Sequence, residues 1–351
     1  MAVERASMAK SIFFVIIGLM LFILYLYFFV GFSEILTVLT KIDPLKCLVY
    51  YSLTVGVVTL SMVFYSLTWY ELLKALSVDI DFRRTLTYAW VATFVDLIIP
   101  TEAVTGDITK MYLASRGSGS EVESKLGRIT ASIVIHRILS MMMILGGLLI
   151  GSLSIFLNYE IPSYISNLLI VVVGGTVASI GLLIYLSIDR RAAEGATNLI
   201  LKLVSLILRG RLNQAALRER MEYTISAFYQ GMEVIGKSPG LLLKPILYAL
   251  LAWFFHMLSY PLVFYALDYV ISISVSVVVY SVSMAVQTVP VGLPVGLVEI
   301  VMATIYTMFG VPSAVSGVAT TLIRVVTFWF LIVTGYVITQ WIGIRVLIRG
   351  G

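Results

Sequence analysis

Long apolar runs separated by short polar stretches dominate the pattern of hydrophobic and polar positions along this chain. A helix needs about 20 consecutive apolar residues to cross the hydrocarbon core of a bilayer. Runs of that length cover residues 11–32, 48–70, 129–157, 164–187, 240–268 and 316–344. The pattern therefore predicts an all-α, polytopic membrane helical bundle with six full spans.

Two further apolar segments are interrupted by proline and glycine, and their arms are shorter than a comfortable span. The first consists of residues 85–100 and 101–116, and the second of residues 271–290 and 291–309. Non-helical backbone at membrane depth is tolerated where it is buried in protein or lines a cavity. Each segment is therefore predicted to form a re-entrant pair of short helices.

Lysine and arginine lie at the ends of the apolar runs, and their positions agree with one orientation in the membrane. Cytoplasmic loops are enriched in these residues. Basic residues precede the first run, follow the second and fourth runs, and close the chain, whereas none occurs between Lys244 and Arg324. Both termini of this multi-pass protein are therefore predicted to lie on the cytoplasmic side of the cell membrane.

This orientation makes residues 48–157 and 240–344 candidate inverted-topology repeats, because their broken segments open from opposite sides. Such repeats are common in secondary transporters, where discontinuous helices form a binding site near the midplane of the membrane. Residues 1–351 are thus predicted to be a single transmembrane domain with a cytoplasmic connector at residues 188–238. The connector has apolar residues at helical spacing, which indicates either amphipathic helices on the membrane surface or a solvated hairpin.

Composition agrees with a lipid environment and argues against several functions. The chain is 60% hydrophobic and 12% charged, whereas a soluble domain is about 25% charged. The net charge of +5 comes from basic residues at the ends of apolar runs, so it does not indicate nucleic-acid binding. A single cysteine and two histidines provide no obvious ligand set, so no metal is expected.

Residues 231–238 match the P-loop pattern, in which a glycine-rich loop between a strand and a helix binds phosphates. Here an amphipathic helical pattern precedes the match, and Pro239 follows it and leads into a span. No strand is predicted to hold such a loop, so nucleotide binding is not expected. No other cofactor is expected either. The match is better explained by the end of a helix, with Lys237 at the lipid interface.

Two arginines lie inside predicted spans, Arg137 in the first unit and Arg324 in the second. An arginine at the centre of a bilayer costs at least about 2.5 kcal/mol, so it normally faces a partner or a wet cavity. Glu102 or Asp107 can pair with Arg137, and Glu299 can pair with Arg324. These residues either lock broken helices to full spans or bind an anionic head group, since guanidinium presents a planar fork suited to phosphate.

The breaks in the two segments carry a second prediction. Pro100 and Gly106 interrupt the first segment, and Pro290, Pro294 and Gly296 interrupt the second. A half-helix that begins inside the membrane has free N–H groups and a positive dipole end, which attract an anion. The alternative is a kink without a ligand, which is common in membrane helices.

Four further polar residues lie inside or beside the apolar runs, and two of them, His136 and Asp96, have a functional interpretation as well as a structural one. Lys110 follows Asp107 by three residues, so the two can pair on one helix face. His136 is either a hydrogen-bonded packing residue or a proton relay, and His256 is expected to pack beside a kink. Asp96 is either a coupling-ion or proton site, or a carboxylate that only reaches the water of a cavity.

Taken in order, these features resemble the lysylphosphatidylglycerol synthase transmembrane-region family over nearly the whole chain. The residues that carry the resemblance are Pro100, Gly106-Asp107, His136-Arg137, Pro290, Pro294, Gly296, Glu299, Arg324 and Gly335. The chain departs from the family at His136, where an acidic residue usually precedes the arginine. The resemblance implies a flippase-like, lipid-translocating fold. Synthase members add a soluble aminoacyl-transfer domain after the last span, so synthesis of aminoacyl lipids is not expected of this chain.

The predicted function is therefore translocation of an anionic lipid through a midplane cavity, with no catalytic residue. The lipid is a phospholipid, a polyprenyl phosphate or a glycolipid. The candidate binding residues are Pro100, Glu102, Gly106, Asp107, Lys110, His136, Arg137, Pro290, Pro294, Gly296, Glu299 and Arg324. Two alternatives stay open: an intramembrane lipid-modifying transferase, and a non-transporting subunit or regulator of a membrane complex.

Overall fold

A computed structural model describes residues 32–98, 104–116, 122–158, 163–195, 214–287 and 294–349, together with a few single positions before residue 32. The described residues are helical apart from short connections, which confirms the predicted all-α bundle. The predicted first span, residues 11–32, lies almost entirely outside the described residues, as do Pro100, Glu102 and Pro290.

The helices are numbered here in chain order. They are α1 (Phe32–Lys41), α2 (Pro44–Ala75), α3 (Phe82–Ile98), α4 (Val104–Arg116), α5 (Val122–Asn158), α6 (Ser163–Ile188), α7 (Gln214–Lys237), α8 (Leu243–Ala266), α9 (Ile273–Gln287), α10 (Pro294–Met308), α11 (Ser313–Arg324) and α12 (Leu331–Arg349). A 3₁₀ turn, Pro239–Leu242, precedes α8. A π-helical segment, Val325–Phe330, joins α11 to α12 into one continuous rod.

Five helical stretches among the described residues are long and apolar enough to cross a membrane. They are Pro44–Ala75, Lys125–Leu157, Ile170–Ile188, Pro239–Ala266 and Ser313–Trp341, and each covers most or all of one predicted span. Their outer faces carry large exposed apolar side chains such as Leu48, Ile150, Val171 and Leu243. Such a surface is suited to lipid tails and not to water, so the chain is a multi-pass membrane protein.

Both interrupted segments form pairs of short helices that pack against each other. The first pair is α3 with α4, and the second is α9 with α10. The two helices of each pair are separated by residues 99–103 and 288–293, which lie outside the described residues. None of these four helices exceeds 17 residues. Their entry and exit on the same side of the membrane stays a prediction.

The two candidate units pack against each other through matching elements. The longest contact is α2 against α8, where the Ser61 hydroxyl donates to the Ala252 carbonyl at 2.8 Å. Helix α3 of the first unit packs on α12 at Gly335, and α9 of the second unit packs on α5 at Gly151. This exchange of partners is the arrangement that two related units would produce, and their origin as an inverted repeat stays a prediction.

The connector contributes α7, which packs against the first half of α5 and is therefore not a solvated hairpin over its described part. Gly127 of α5 allows the close approach, because a Cβ there would lie 2.3 Å from the Cβ of Ala227. The described residues of the P-loop pattern belong to the end of α7, and α7 ends at Lys237. Lys237 pairs with Glu233 at 2.6 Å, so the segment is a helix terminus and not a phosphate-binding loop.

Candidate functional site

Each unit contains one arginine–carboxylate ion pair that joins a short helix to a long one. In the first unit, Arg137 Nη1 of α5 lies 3.2 Å from Asp107 Oδ2 of α4. In the second, Arg324 Nε of α11 lies 2.6 Å from Glu299 Oε1 of α10. The sequence prediction of such pairs is confirmed, and Asp107 is a partner of Arg137.

The two ion pairs differ in their exposure. The side chains of Arg137 and Asp107 are each 25% exposed. Those of Arg324 and Glu299 are 4% and 5% exposed. The first pair is therefore accessible from outside the protein, whereas the second is enclosed in this structure.

Lys110 provides a second cation for Asp107. Its ammonium lies 3.6 Å from Asp107 Oδ1 and donates to the Tyr65 hydroxyl at 2.8 Å. The ammonium also lies over the rings of Tyr65 and Trp69, at 4.8 Å and 5.6 Å from their centroids. A buried lysine is tolerated when it is paired and hydrogen-bonded in this way. Asp107 therefore keeps one cation close to it even when Arg137 moves away.

Arg324 occupies a polar pocket inside the second unit. Besides Glu299, its Nη1 donates to Gln287 Oε1 at 3.4 Å. Its guanidinium lies 4.3 Å from the centroid of the Phe328 ring, a favourable cation–π geometry. Its remaining nitrogen, Nη2, is buried and has no hydrogen-bond partner among the described residues. The segment that follows is π-helical, a geometry that is rare and is often found at functional sites.

The predicted anion sites at the two half-helix N-termini are already occupied by carboxylates of the protein. The N–H of Gly106 donates to Asp96 Oδ1 at 2.5 Å, and the N–H of Gly296 donates to Glu299 Oε2 at 2.6 Å. Gly296 has a φ of 92°, a conformation that favours glycine, and Pro294 is the first residue of α10. Both N–H groups therefore bind an anionic group as predicted, but that group is a carboxylate of the protein itself.

Arg137 and Asp107 line a cavity on the side of the bundle, called the lateral cavity below, with a volume of about 470 Å³. Helices α4, α5 and α6 form its walls, which are largely apolar and include Ile133, Met141 and Leu183. Ile108 and Leu182 also line it and are each more than half exposed, so the cavity opens on the outer surface. An apolar cleft with an ion pair in its wall suits an amphiphile with a charged head.

A second cavity of about 240 Å³, the interunit cavity, lies between the two units. Helices α2, α3, α5, α8, α9 and the start of α12 contribute to its wall. Its polar lining residues include Asp96, Ser140, Trp253, His256, Gln287 and Thr327. Neither arginine lines it, because Arg137 lines the lateral cavity and Arg324 is enclosed in the second unit.

Two adjacent residues of α4 contact residues that line the two cavities. Gly106 binds Asp96, which lines the interunit cavity, while the adjacent Asp107 binds Arg137 in the lateral cavity. Glycine is required at position 106, because a Cβ on Gly106 would lie 2.0 Å from Asp96 Oδ2 and 2.8 Å from the Ala92 carbonyl oxygen. The N-terminal turn of α4, called the partition below, thus contacts the linings of both cavities.

The two histidines have different environments. His136 is buried, its Nε2 lies 3.1 Å from the Tyr65 carbonyl oxygen, and its ring packs on Tyr65 with centroids 4.3 Å apart. It is a hydrogen-bonded packing residue, one of its two sequence interpretations. His256 lines the interunit cavity instead, and its Nε2 has no hydrogen-bond partner among the described residues.

Sequence reasoning missed three residues that shape the site. Trp253 and Gln287 line the interunit cavity, and Tyr65 positions both Lys110 and His136. Charged residues and helix breaks do not point to these three side chains, because they are neutral and lie within apolar runs. The available signal for Gln287 was an amide three residues before Pro290 in an otherwise apolar arm.

The sequence of this chain is similar to that of a known membrane-protein family. The sequence profile of the family described as the lysylphosphatidylglycerol synthase TM region matches residues 15–335, which include both arginine–carboxylate pairs. The chain belongs to this family. The region matched to the lysylphosphatidylglycerol synthase TM-region family also contains the residues that line both cavities.

A relative of this family member is a UPF0104 membrane protein from Methanothermobacter thermautotrophicus. The two sequences are 26% identical over 316 residues, which cover 90% of each chain. That name describes a membrane protein and gives no activity. No solved structure matches the chain.

Proposed function

We propose that this member of the lysylphosphatidylglycerol synthase TM-region family translocates an anionic lipid across the cell membrane without covalent chemistry. The observation that carries the proposal is Arg137 in the wall of a largely apolar cavity that opens on the outer surface. The apolar walls suit lipid tails, and the guanidinium suits a phosphate, which it can bind through two parallel hydrogen bonds. The proposal also places both termini on the cytoplasmic side of the membrane.

The ion pair at Arg137 is suited to exchange of partners. An arriving phosphate competes with Asp107 for the guanidinium, and Asp107 keeps Lys110 at 3.6 Å when it is displaced. Leaving a charge buried and unpaired costs several kcal/mol, and the lysine avoids that cost. The first unit can therefore switch between an internal ion pair and a lipid-bound state.

The partition supplies the next step of the proposed path. Release of Asp107 loosens the turn that Gly106 and Asp96 hold in place, so the uncharged part of the head group can enter the interunit cavity while the phosphate is bound at Arg137. The distance to cover is short, since Ser140 follows Arg137 by three residues, about 4.5 Å along α5. The tails remain in the bilayer throughout. No ATP site is invoked, so transport is passive or coupled to an ion or proton gradient.

The test is a translocation assay in liposomes that contain the purified protein. Fluorescent analogues of an anionic and a zwitterionic lipid with the same tails are placed in both leaflets, and a membrane-impermeant reductant reports the accessible fraction over time. We expect protein-dependent movement of the anionic analogue, faster than that of the zwitterionic one. If both analogues move no faster than they do in protein-free liposomes, and several anionic lipids give the same result, the proposal is wrong.

The same preparation separates the two alternatives. Mass spectrometry of the liposome lipids after incubation with a lipid-linked donor detects any new species, and a product lost on Asp107→Asn supports a transferase instead. A subunit or regulator would show no movement in liposomes, and its Arg137 and Arg324 variants would lose assembly with a partner protein while lipid distribution stays unchanged.

A further inference from the structure

The interunit cavity holds two hydrogen-bonding side chains that have nothing to bind among the described residues. Trp253 Nε1 and His256 Nε2 are buried, and both residues line the cavity from α8. Buried polar groups of native proteins are almost always hydrogen-bonded, and an exception calls for a ligand or an ordered water. Because the indole N–H donates only, the missing partner must offer an acceptor.

The charges around the cavity exclude a second phosphate site. Among the described residues of its lining, Asp96 is the one aspartate, glutamate, lysine or arginine, and it is acidic. A carboxylate repels a phosphate but accepts hydrogen bonds from hydroxyl groups. Gln287 and Ser140 add neutral groups that both donate and accept. The lining is therefore suited to a neutral group that carries several hydroxyls.

The shape and the aromatic walls agree with that chemistry. Tyr280 stands beside both orphan groups, with ring centroids 6.4 Å from Trp253 and 5.4 Å from His256. Drug-sized ligands fill pockets of roughly 300–1,000 Å³, so a cavity of about 240 Å³ has room for a single head group and not for a whole lipid. Aromatic faces pack well on the C–H surfaces of a sugar ring or glycerol unit.

Trp253 is held in place by a glycine of the opposite unit. A Cβ on Gly147 of α5 would lie 2.3 Å from a carbon of the Trp253 ring and 3.0 Å from its Nε1. The indole edge that carries Nε1 therefore lies close to the α5 backbone at Gly147, and packing, not a hydrogen bond, holds the N–H in place. A donor positioned without a partner is a feature of a prepared binding site.

We infer that the interunit cavity is a subsite for the hydroxyl-rich, uncharged part of a lipid head group, a sugar or a polyol. The inference rests on the proposed function for its place in the transport path. Trp253 and His256 bind ring or chain oxygens, and Asp96 accepts from hydroxyl groups. The phosphate of the same lipid stays on the other side of the Gly106–Asp107 partition, at Arg137.

The test compares two uncharged lipids that differ only in the sugar. Purified protein is equilibrated in detergent with equal amounts of glucosyl dioleoylglycerol and dioleoylglycerol, and native mass spectrometry measures the ratio bound. We expect the glucosyl lipid to be favoured. One net hydrogen bond corresponds to roughly threefold to tenfold in affinity, so Trp253→Phe and His256→Phe should each lower the ratio by about that factor.

Two further variants keep the test specific. Trp341→Phe removes an indole from an exposed position on α12 and should leave the ratio unchanged. His256→Gln keeps a hydrogen-bonding group and should restore part of the ratio that His256→Phe loses. A wild-type ratio near one, or a ratio that both phenylalanine variants leave intact, overturns the inference and assigns the orphan groups to ordered water.

The outcomes also distinguish this inference from the proposed function. Sugar preference without translocation in liposomes overturns transport and supports the subsite. Translocation of anionic lipids without any sugar preference overturns the subsite and supports transport.

Discussion

At the scale of single residues, the two arginine–carboxylate pairs share chemistry and differ in cost. A buried ion pair loses the hydration of both charges, and excellent geometry must compensate for it. Arg324 and Glu299 are in that situation, with side-chain exposures of 4% and 5%. Arg137 and Asp107 border a cavity that opens outward, so either charge can reach a polar group from outside. Their position at the cavity wall makes the first pair the exchangeable one.

The buried pair yields a stability prediction. Glu299→Leu leaves the Arg324 charge uncompensated, and removing one partner of a buried pair costs about 3–5 kcal/mol. The double variant Glu299→Leu/Arg324→Leu should lose less than either single change, because no charge is left unpaired. Thermal unfolding in detergent of the two single variants and the double variant measures this coupling. Additive losses would contradict the ion pair as the dominant contact of Glu299.

The partition yields a packing prediction. Gly106→Ala introduces a Cβ 2.4 Å from the Asp96 carboxyl carbon and 2.8 Å from the Ala92 carbonyl oxygen. Relief requires α3 and α4 to separate, and overpacking of this kind costs typically about 1–3 kcal/mol. The control is Gly56→Ala, where a Cβ meets nothing within 4 Å. Equal melting temperatures for the two variants would show that Gly106 is not confined as described.

At the scale of elements, glycines determine which helices touch. Gly335 lets α12 approach Phe94 of α3, and Gly151 lets α5 approach Val278 of α9. These contacts cross between the units, so small residues on long helices let the bundle close. In membranes such small residues take over part of the role that the hydrophobic effect plays in soluble proteins. Helix α7 uses the same device outside the two units, through Gly127 of α5.

The contact of α7 with α5 can be tested through hydrogen exchange. Gly127→Ala places a Cβ 2.3 Å from the Ala227 Cβ and 2.6 Å from the backbone nitrogen of Phe228. Because a backbone atom is involved, no change of rotamer relieves the clash, and α7 must shift away. We expect faster amide exchange in α7 with little change in α8. Gly146→Ala on the same helix, in open space, should leave α7 protected; equal exchange in both variants would refute the contact.

At the scale of the whole molecule, sequence reasoning reached the elements and the ion pairs but not the cavities. Apolar run length predicted the five span-length helices of the described residues, and the acidic residues near the breaks included the partners of Arg137 and Arg324, namely Asp107 and Glu299. The separation of the two arginines depends on which faces of α4, α5 and α6 meet, and charge patterns contain no such information. Trp253 and His256 become candidate binding residues only in the folded structure. Packing places them beside a cavity, where Trp253 Nε1 and His256 Nε2 have no hydrogen-bond partner among the described residues.

The central claim is that Arg137 binds the anionic head group of a translocated lipid. The most direct measurement is the liposome translocation rate of an anionic lipid for Arg137→Gln and Asp107→Asn against the wild-type protein. A charge-assisted hydrogen bond contributes about 1.5–3 kcal/mol, so Arg137→Gln should slow translocation by roughly tenfold or more. Asp107→Asn, which removes the competing carboxylate, should keep or raise the rate. Wild-type rates in Arg137→Gln would contradict the account.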